Sequence, residues 1–112
     1  MTKEELIQRR KDDIKKRREE RDRKDLKKIL AMPEGRRFIW KVLSECGIYR
    51  GTFRSDSNLS AHLEGKRDIG LFILNEILKR NLDSFYTMQN EAASLKQSED
   101  DEIRAVAEEA DE

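Results

Sequence analysis

Residues able to do covalent or acid–base chemistry are scarce in this chain. It holds one cysteine, Cys46, and one histidine, His62. A thiolate–imidazole dyad needs both groups within hydrogen-bond reach. The spacing around Cys46 puts it on an apolar helical stripe, where a free thiol behaves as a small packing group. His62 reads as an exposed imidazole. One histidine and one cysteine, without further ligands at metal spacing, do not make a common zinc site. The carboxylates Glu99, Asp100, Asp101 and Glu102 attract divalent cations weakly, and they lack the Gly-punctuated alternation of a calcium loop. Neither GxxxxGK[ST] nor GxGxxG occurs, so the phosphate-cradling loops are missing. No enzyme constellation emerges, and no metal or cofactor is expected.

The chemistry on offer is that of binding. The formal net charge is zero, but its distribution is polar. Residues 1–28 hold thirteen Lys and Arg against eight Asp and Glu, a net of +5. Residues 91–112 hold two against nine, a net of −7. Local charge, not the mean, governs electrostatic attraction. Arg9, Arg10, Lys11, Lys15, Lys16, Arg17 and Arg18 form the densest basic cluster, and a helix carrying them could track phosphates and release counterions. The competing reading is a self-paired, solvated or protein-binding helix, because eight acids are interleaved. A basic zipper is excluded, since no run of apolar heptads follows.

A second constellation combines arginines with aromatics. Arg36 and Arg37 precede Trp40, and Tyr49-Arg50-Gly51-Thr52-Phe53-Arg54 repeats the mixture. Trp, Tyr and Arg dominate binding hot spots, so Arg36, Arg37, Trp40, Tyr49, Arg50, Phe53 and Arg54 are candidate partner-binding residues. The alternative is core aromatics with surface arginines.

These groups must be positioned by helices. Thr2-Lys3-Glu4-Glu5 fits a capping box, and no Gly or Pro follows before Pro33. Acid-to-base pairs recur four apart: Glu5–Arg9, Asp12–Lys16, Asp13–Arg17, Glu19–Arg23 and Glu20–Lys24, each contributing about 0.2–0.5 kcal/mol. The pattern predicts a long charged helix over about 3–31. Its early apolar positions Leu6, Ile7 and Ile14 do not continue through 15–25. It stands as an arm, or joins a partner through its ends, and Leu26, Ile29, Leu30 and Met32 anchor it. Pro33 suits the first turn of a second helix, about 33–46. There Ile39, Val42, Leu43 and Cys46 make a stripe widened by Phe38, with Gly47 at the left-handed C-cap. A loop capped by Ser55 or Ser57 leads to a third helix, about 58–80, with a broad apolar face (Leu59, Leu63, Ile69, Phe72, Ile73, Leu74, Ile77, Leu78). Gly65 and Gly70 inside it either allow a close helix crossing or break the helix near Glu64-Gly65, and the close crossing is expected. Asp83 caps a fourth helix, about 84–96, that uses Phe85, Met88 and Leu95. Ser98–Asp101 could start one more turn with Ile103, Val106 and Ala107 on one side, but acidity and small side chains predict disorder.

The expected fold is therefore all-α: a charged helical arm (1–28), a small three-helix bundle (29–96) and a disordered acidic tail (97–112). The apolar residues crowd into a segment of some 65 positions, a size at which domains are marginal without a partner or self-association. The opening MTKEELIQRR lacks the apolar stretch of a secretory signal, and no run approaches the ~18 apolar residues of a membrane span. A single cysteine is compatible with a reducing compartment.

Three segments, PEGRRFIWKVL, ECGIYRGTF and HLEGKRDIGLFIL, resemble a family of small tailed-phage proteins named after gene product nineteen of a Bordetella phage. The resemblance covers about Asp25 to Met88 and leaves out both charged ends. It implies a virion component or assembly factor, in the virion or the host cytoplasm, and supplies no catalytic residue. Other phage virion proteins are the expected partners, with packaged DNA and further copies of the chain beside them. A nucleic-acid-binding regulator or packaging accessory, and an inhibitor of a host enzyme, are the alternatives. Arg36, Arg37, Glu64 and Arg67 are expected to cluster between the second and third helices.

Overall fold

Cap and turn residues cut the chain into four helices: α1 (Lys3–Leu30), α2 (Pro33–Glu45), α3 (Ser57–Arg80) and α4 (Leu82–Ala110). The computed structural model describes residues 1–48, 51 and 56–111, and there is no strand among them. The all-α class is as the sequence predicts.

α1 begins where Thr2 Oγ1 accepts the Glu5 N–H at 3.1 Å. Glu4 and Glu5 occupy its first turn and Lys27 and Lys28 its last, each complementing the helix dipole. At 1.5 Å per residue α1 is about 42 Å long, and residues 1–25 are all exposed. The arm therefore stands off the bundle. Leu26 and Leu30 attach it to the core. Ile29 and Met32, expected as anchors, are exposed instead: one step of about 100° along the helix turns Ile29 away from Leu30.

Met32 adopts an extended conformation and Pro33 opens α2. Gly35 makes this elbow possible. A Cβ there would lie 2.9 Å from the Ile29 carbonyl carbon and from Ile29 Cγ2, and closer still to the carbonyl oxygen. Gly47 takes the left-handed conformation, φ 66°, after α2, as predicted. Asp56, not Ser55 or Ser57, caps α3: its Oδ1 accepts the N–H groups of Asn58 at 2.9 Å and Leu59 at 3.3 Å. α3 runs unbroken through both glycines. A Cβ on Gly70 would meet Ile48 Cγ2 at 2.5 Å and Cys46 Cβ at 2.6 Å, whereas Gly65 has open space. The close crossing is thus at Gly70 alone.

α2, α3 and α4 pack around Leu30, Leu43, Ile48, Ile77, Phe85 and Met88, with Trp40, Cys46 and Leu74 among the half-covered neighbours. Phe38 does not widen the α2 stripe. It is 66% exposed, because it projects roughly 140° from the Ile39–Leu43 face. Ile69 and Phe72 likewise lie outside on α3.

Asn81 is the single residue between α3 and α4, and its N–H bonds to Ile77 O at 2.8 Å. No side chain caps α4; Asp83, expected in that role, lies inside the first turn. The largest departure comes at the other end. Residues 97–110, expected as a disordered tail after a helix ending at 96, continue α4. No Gly or Pro follows Gly70. Lys96 Nζ donates to Asp100 at 3.0 Å, Gln97 Nε2 to Asp101 at 2.9 Å and Arg104 Nη1 to Asp101 at 3.4 Å. Pairs three and four apart support a helix in this way.

The result is an elongated molecule of 84 × 40 × 16 Å. Its radius of gyration is 21.0 Å, against roughly 13 Å for a compact chain of this length. The two charged helix ends account for the difference.

Candidate partner-binding groove

One side of α2 and the second half of α4 enclose a groove of about 490 Å³. Arg36, Arg37 and Trp40 line it from α2. Met88, Ala92, Leu95 and Ile103 form an apolar row from α4, and Glu91, Lys96, Glu99 and Asp100 supply charge. The row is the core face of α4 carried onward. Phe85, Met88, Ala92, Leu95, Glu99, Ile103 and Val106 follow each other at steps of three and four, the spacing of one helical face. Phe85 and Met88 are buried, whereas Leu95 is 49% and Ile103 70% exposed. α2 ends before the row does, so the apolar face outruns the helix that would cover it.

Arg36 builds the groove's mouth. Its Nε donates to Glu91 Oε1 at 2.6 Å, and its Nη1 donates to the Leu30 carbonyl at 2.9 Å. The guanidinium therefore ties the last carbonyl of α1, where helices leave acceptors unsatisfied, to the start of the exposed part of α4. Its side chain is only 16% exposed and that of Glu91 43%, so of these charge-assisted bonds the one to the Leu30 carbonyl is the better shielded. Trp40 sits on the border between the core and the groove. Its ring lies 6.4 Å from that of Phe85, on the core, and its remaining surface lines the groove.

Three of the predicted partner-binding residues, Arg36, Arg37 and Trp40, thus come together. Tyr49, Arg50, Phe53 and Arg54 lie outside the described residues. The expected cluster of Arg36, Arg37, Glu64 and Arg67 is not assembled around Arg36, which takes its carboxylate from α4. Arg67 sits half-buried on α3, and its Nε has no hydrogen-bond partner among the described residues. Glu91, Leu95, Glu99 and Ile103 were not singled out as site residues; the signal was the unbroken 3-4 stripe beyond Met88.

The basic cluster Arg9, Arg10, Lys11, Lys15, Lys16, Arg17 and Arg18 lies on the exposed arm and does not line the groove. Of the five acid–base pairs expected on α1, Glu20–Lys24 closes, at 3.3 Å; the other four do not close among the described residues. Asp12 accepts from Gln8 instead, at 3.0 Å.

Cys46 packs beside Gly70, eight residues and about 12 Å along α3 from the exposed His62, so the two do not form a dyad. Among the described residues no group of three or more His, Cys, Asp or Glu is placed to hold a metal ion. No helix among them is long and apolar enough to cross a membrane.

Fold and groove together define an all-α module with two projecting charged helices. Residues 26–90 match the family described as Bbp19-like phage protein. That is more than half of the chain, and the chain belongs to this phage protein family. The match begins at Leu26, the first arm residue on the core, and ends two residues past Met88, the last buried one. It therefore covers the bundle and the α2 wall of the groove, and leaves out the arm and most of the α4 wall. No curated protein and no solved structure gives a significant match.

Proposed function

We propose that this phage protein is a non-enzymatic virion component or assembly factor that receives a helix of a neighbouring subunit in the α2–α4 groove. One observation carries the reading: the core stripe of α4 continues, exposed, past the end of α2, with a polar rim of Arg36, Arg37, Glu91, Lys96 and Asp100. An apolar row at steps of three and four inside a charged rim is the form that takes an amphipathic helix. The half-buried Trp40 and the clamped Arg36 supply the aromatic and arginine anchors common at binding hot spots. Mass spectrometry of purified particles and assembly intermediates tests it. The protein is expected in one or both, and Leu95→Glu with Ile103→Glu is expected to abolish its incorporation while leaving the bundle folded. Incorporation of that variant at the normal level would overturn the reading.

A second reading keeps nucleic acid in view, because seven cations between Arg9 and Arg18 have no ion-pair partner among the described residues. DNA binding would then weaken steeply with salt and would be lost on deleting residues 1–18. A flat salt response would rule it out.

A further inference from the structure

Taking the groove as a helix-docking site, we propose that its occupant is the N-terminal arm of a second copy of this chain. Leu6, Arg10 and Ile14 of one copy would lie against Leu95, Glu99 and Ile103 of the other.

The two rows have the same grammar. On α4, Leu95, Glu99 and Ile103 stand at i, i+4 and i+8, an acid midway between two apolar side chains. On α1, Leu6, Arg10 and Ile14 stand at the same intervals, with a base midway. Each row spans about 12 Å and lies within roughly 80° of helix surface. All six residues are exposed. Neither Arg10 nor Glu99 has an ion-pair partner among the described residues. The central charge of each row therefore finds its counterpart on the other, flanked by apolar contact on both sides.

Charge selects this pairing over the alternatives. Residues 1–18 carry eight bases and four acids, net +4, while residues 91–112 carry −7. Arm against α4 is attractive, whereas α4 against α4 sets like charges together, which costs several kcal/mol at an interface. A chain's own arm is also misplaced. The Leu6–Ile14 row lies roughly 160° around α1 from the Leu26 and Leu30 face that docks on the bundle, and α1 has no Gly or Pro at which to bend. The contact is consequently between copies and head to tail, a geometry that closes into rings or grows open-ended.

Charge exchange tests it on the full chain. The wild type is expected to show mass above the monomer by light scattering and sedimentation, rising with concentration and falling as salt screens the pair. Arg10→Glu and Glu99→Arg should each weaken this by roughly tenfold or more. An equimolar mixture of the two variants should recover it. The glutamate introduced in the arm of the first variant then meets the arginine introduced in the groove of the second, and the native arm of the second meets the native groove of the first. Both positions are exposed, and circular dichroism should show the fold retained. Association indifferent to either substitution, or a mixture no better than its components, overturns the proposal. So does a wild type that stays monomeric at millimolar concentration in low salt. A duplex oligonucleotide complex lost in Arg10→Glu but intact in Glu99→Arg, without self-association, assigns the arm to nucleic acid and equally overturns it. In any of these cases, loss of the Leu95→Glu, Ile103→Glu variant from particles would leave the groove standing with another occupant, so the two failures are distinguishable.

Discussion

Replacing Arg36 by Met keeps the length and apolar stem of the side chain and removes its two hydrogen bonds. The Glu91 carboxylate is 43% exposed and regains water, so its share of the loss is about 1 kcal/mol, as for surface ion pairs. The Leu30 carbonyl is placed differently. Leu30 is 1% exposed, and a dry acceptor stripped of a charged donor costs about 1–2 kcal/mol. The sum is about 2–3 kcal/mol. For a bundle of this size each kcal/mol lowers Tm by about 4–8 °C, so a fall on the order of 10–20 °C is expected. Glu91→Gln separates the two contributions. Gln retains an acceptor oxygen for Arg36 Nε and leaves the Leu30 bond untouched, so it should cost about 1 kcal/mol or less.

The chain offers its own reporter, because Trp40 is the one tryptophan and lines the same groove. Thermal melts followed by Trp fluorescence and by far-ultraviolet circular dichroism should coincide in the wild type. In Arg36→Met the fluorescence change should begin first, as the mouth of the groove opens before the bundle unfolds. If Glu91→Gln is as costly as Arg36→Met, the Leu30 bond contributes nothing and the clamp is only a surface ion pair. If Arg36→Met costs under about 0.5 kcal/mol, within the range of ordinary surface substitutions, the reasoning about the clamp is wrong.

Three further outcomes follow from the packing. Gly35→Ala should destabilise by about 2 kcal/mol in chemical denaturation, because overpacking against the Ile29 backbone outweighs the better helix propensity of Ala. Gly65→Ala, in the same assay, should stabilise by about 0.5–1 kcal/mol, since that Cβ meets open space and Ala is the better helix former. Deleting residues 1–18 should leave the melting temperature of the dilute, monomeric chain within about 2 °C of the wild type, because no residue before Leu26 joins the core of its own copy.

The helices were legible because their signals are local. Thr2, Pro33 and Gly47 act through the backbone of their own turn, and each appears where its chemistry requires. Apolar identity was a weaker guide. Phe38, Ile29 and Phe72 carry as much apolar surface as the core residues beside them, yet a step of 100–140° decides burial, and which arc faces the bundle is set by tertiary packing. Arg36 shows the limit most plainly. Its carboxylate partner Glu91 lies 55 residues away, and nothing in a local pattern distinguishes that acid from Glu64. The groove was half legible. Arg36, Arg37 and Trp40 follow from residue type, whereas the α4 wall required knowing that the helix does not stop at Lys96.

That extension also carries a dynamic expectation. Up to Glu91, α4 is held by the buried Phe85 and Met88 and by the Arg36 clamp. Beyond it, support comes from pairs such as Lys96–Asp100 and Gln97–Asp101, worth about 0.2–0.5 kcal/mol each. Such a helix end opens locally at little cost, while the core helices open near the global stability. Amide hydrogen exchange should therefore be fast over 97–110, slow around Ile77 and Met88, and change over between Glu91 and Lys96. An occupant resting on Leu95, Glu99 and Ile103 must order this end, so part of its binding free energy is spent there. Protection over 97–110 should then rise when copies associate or when another helix docks. Protection over 97–110 equal to that of Met88 in the free monomer would show the α4 wall to be fixed in advance. Association that leaves those amides fast would place the contact elsewhere on the molecule.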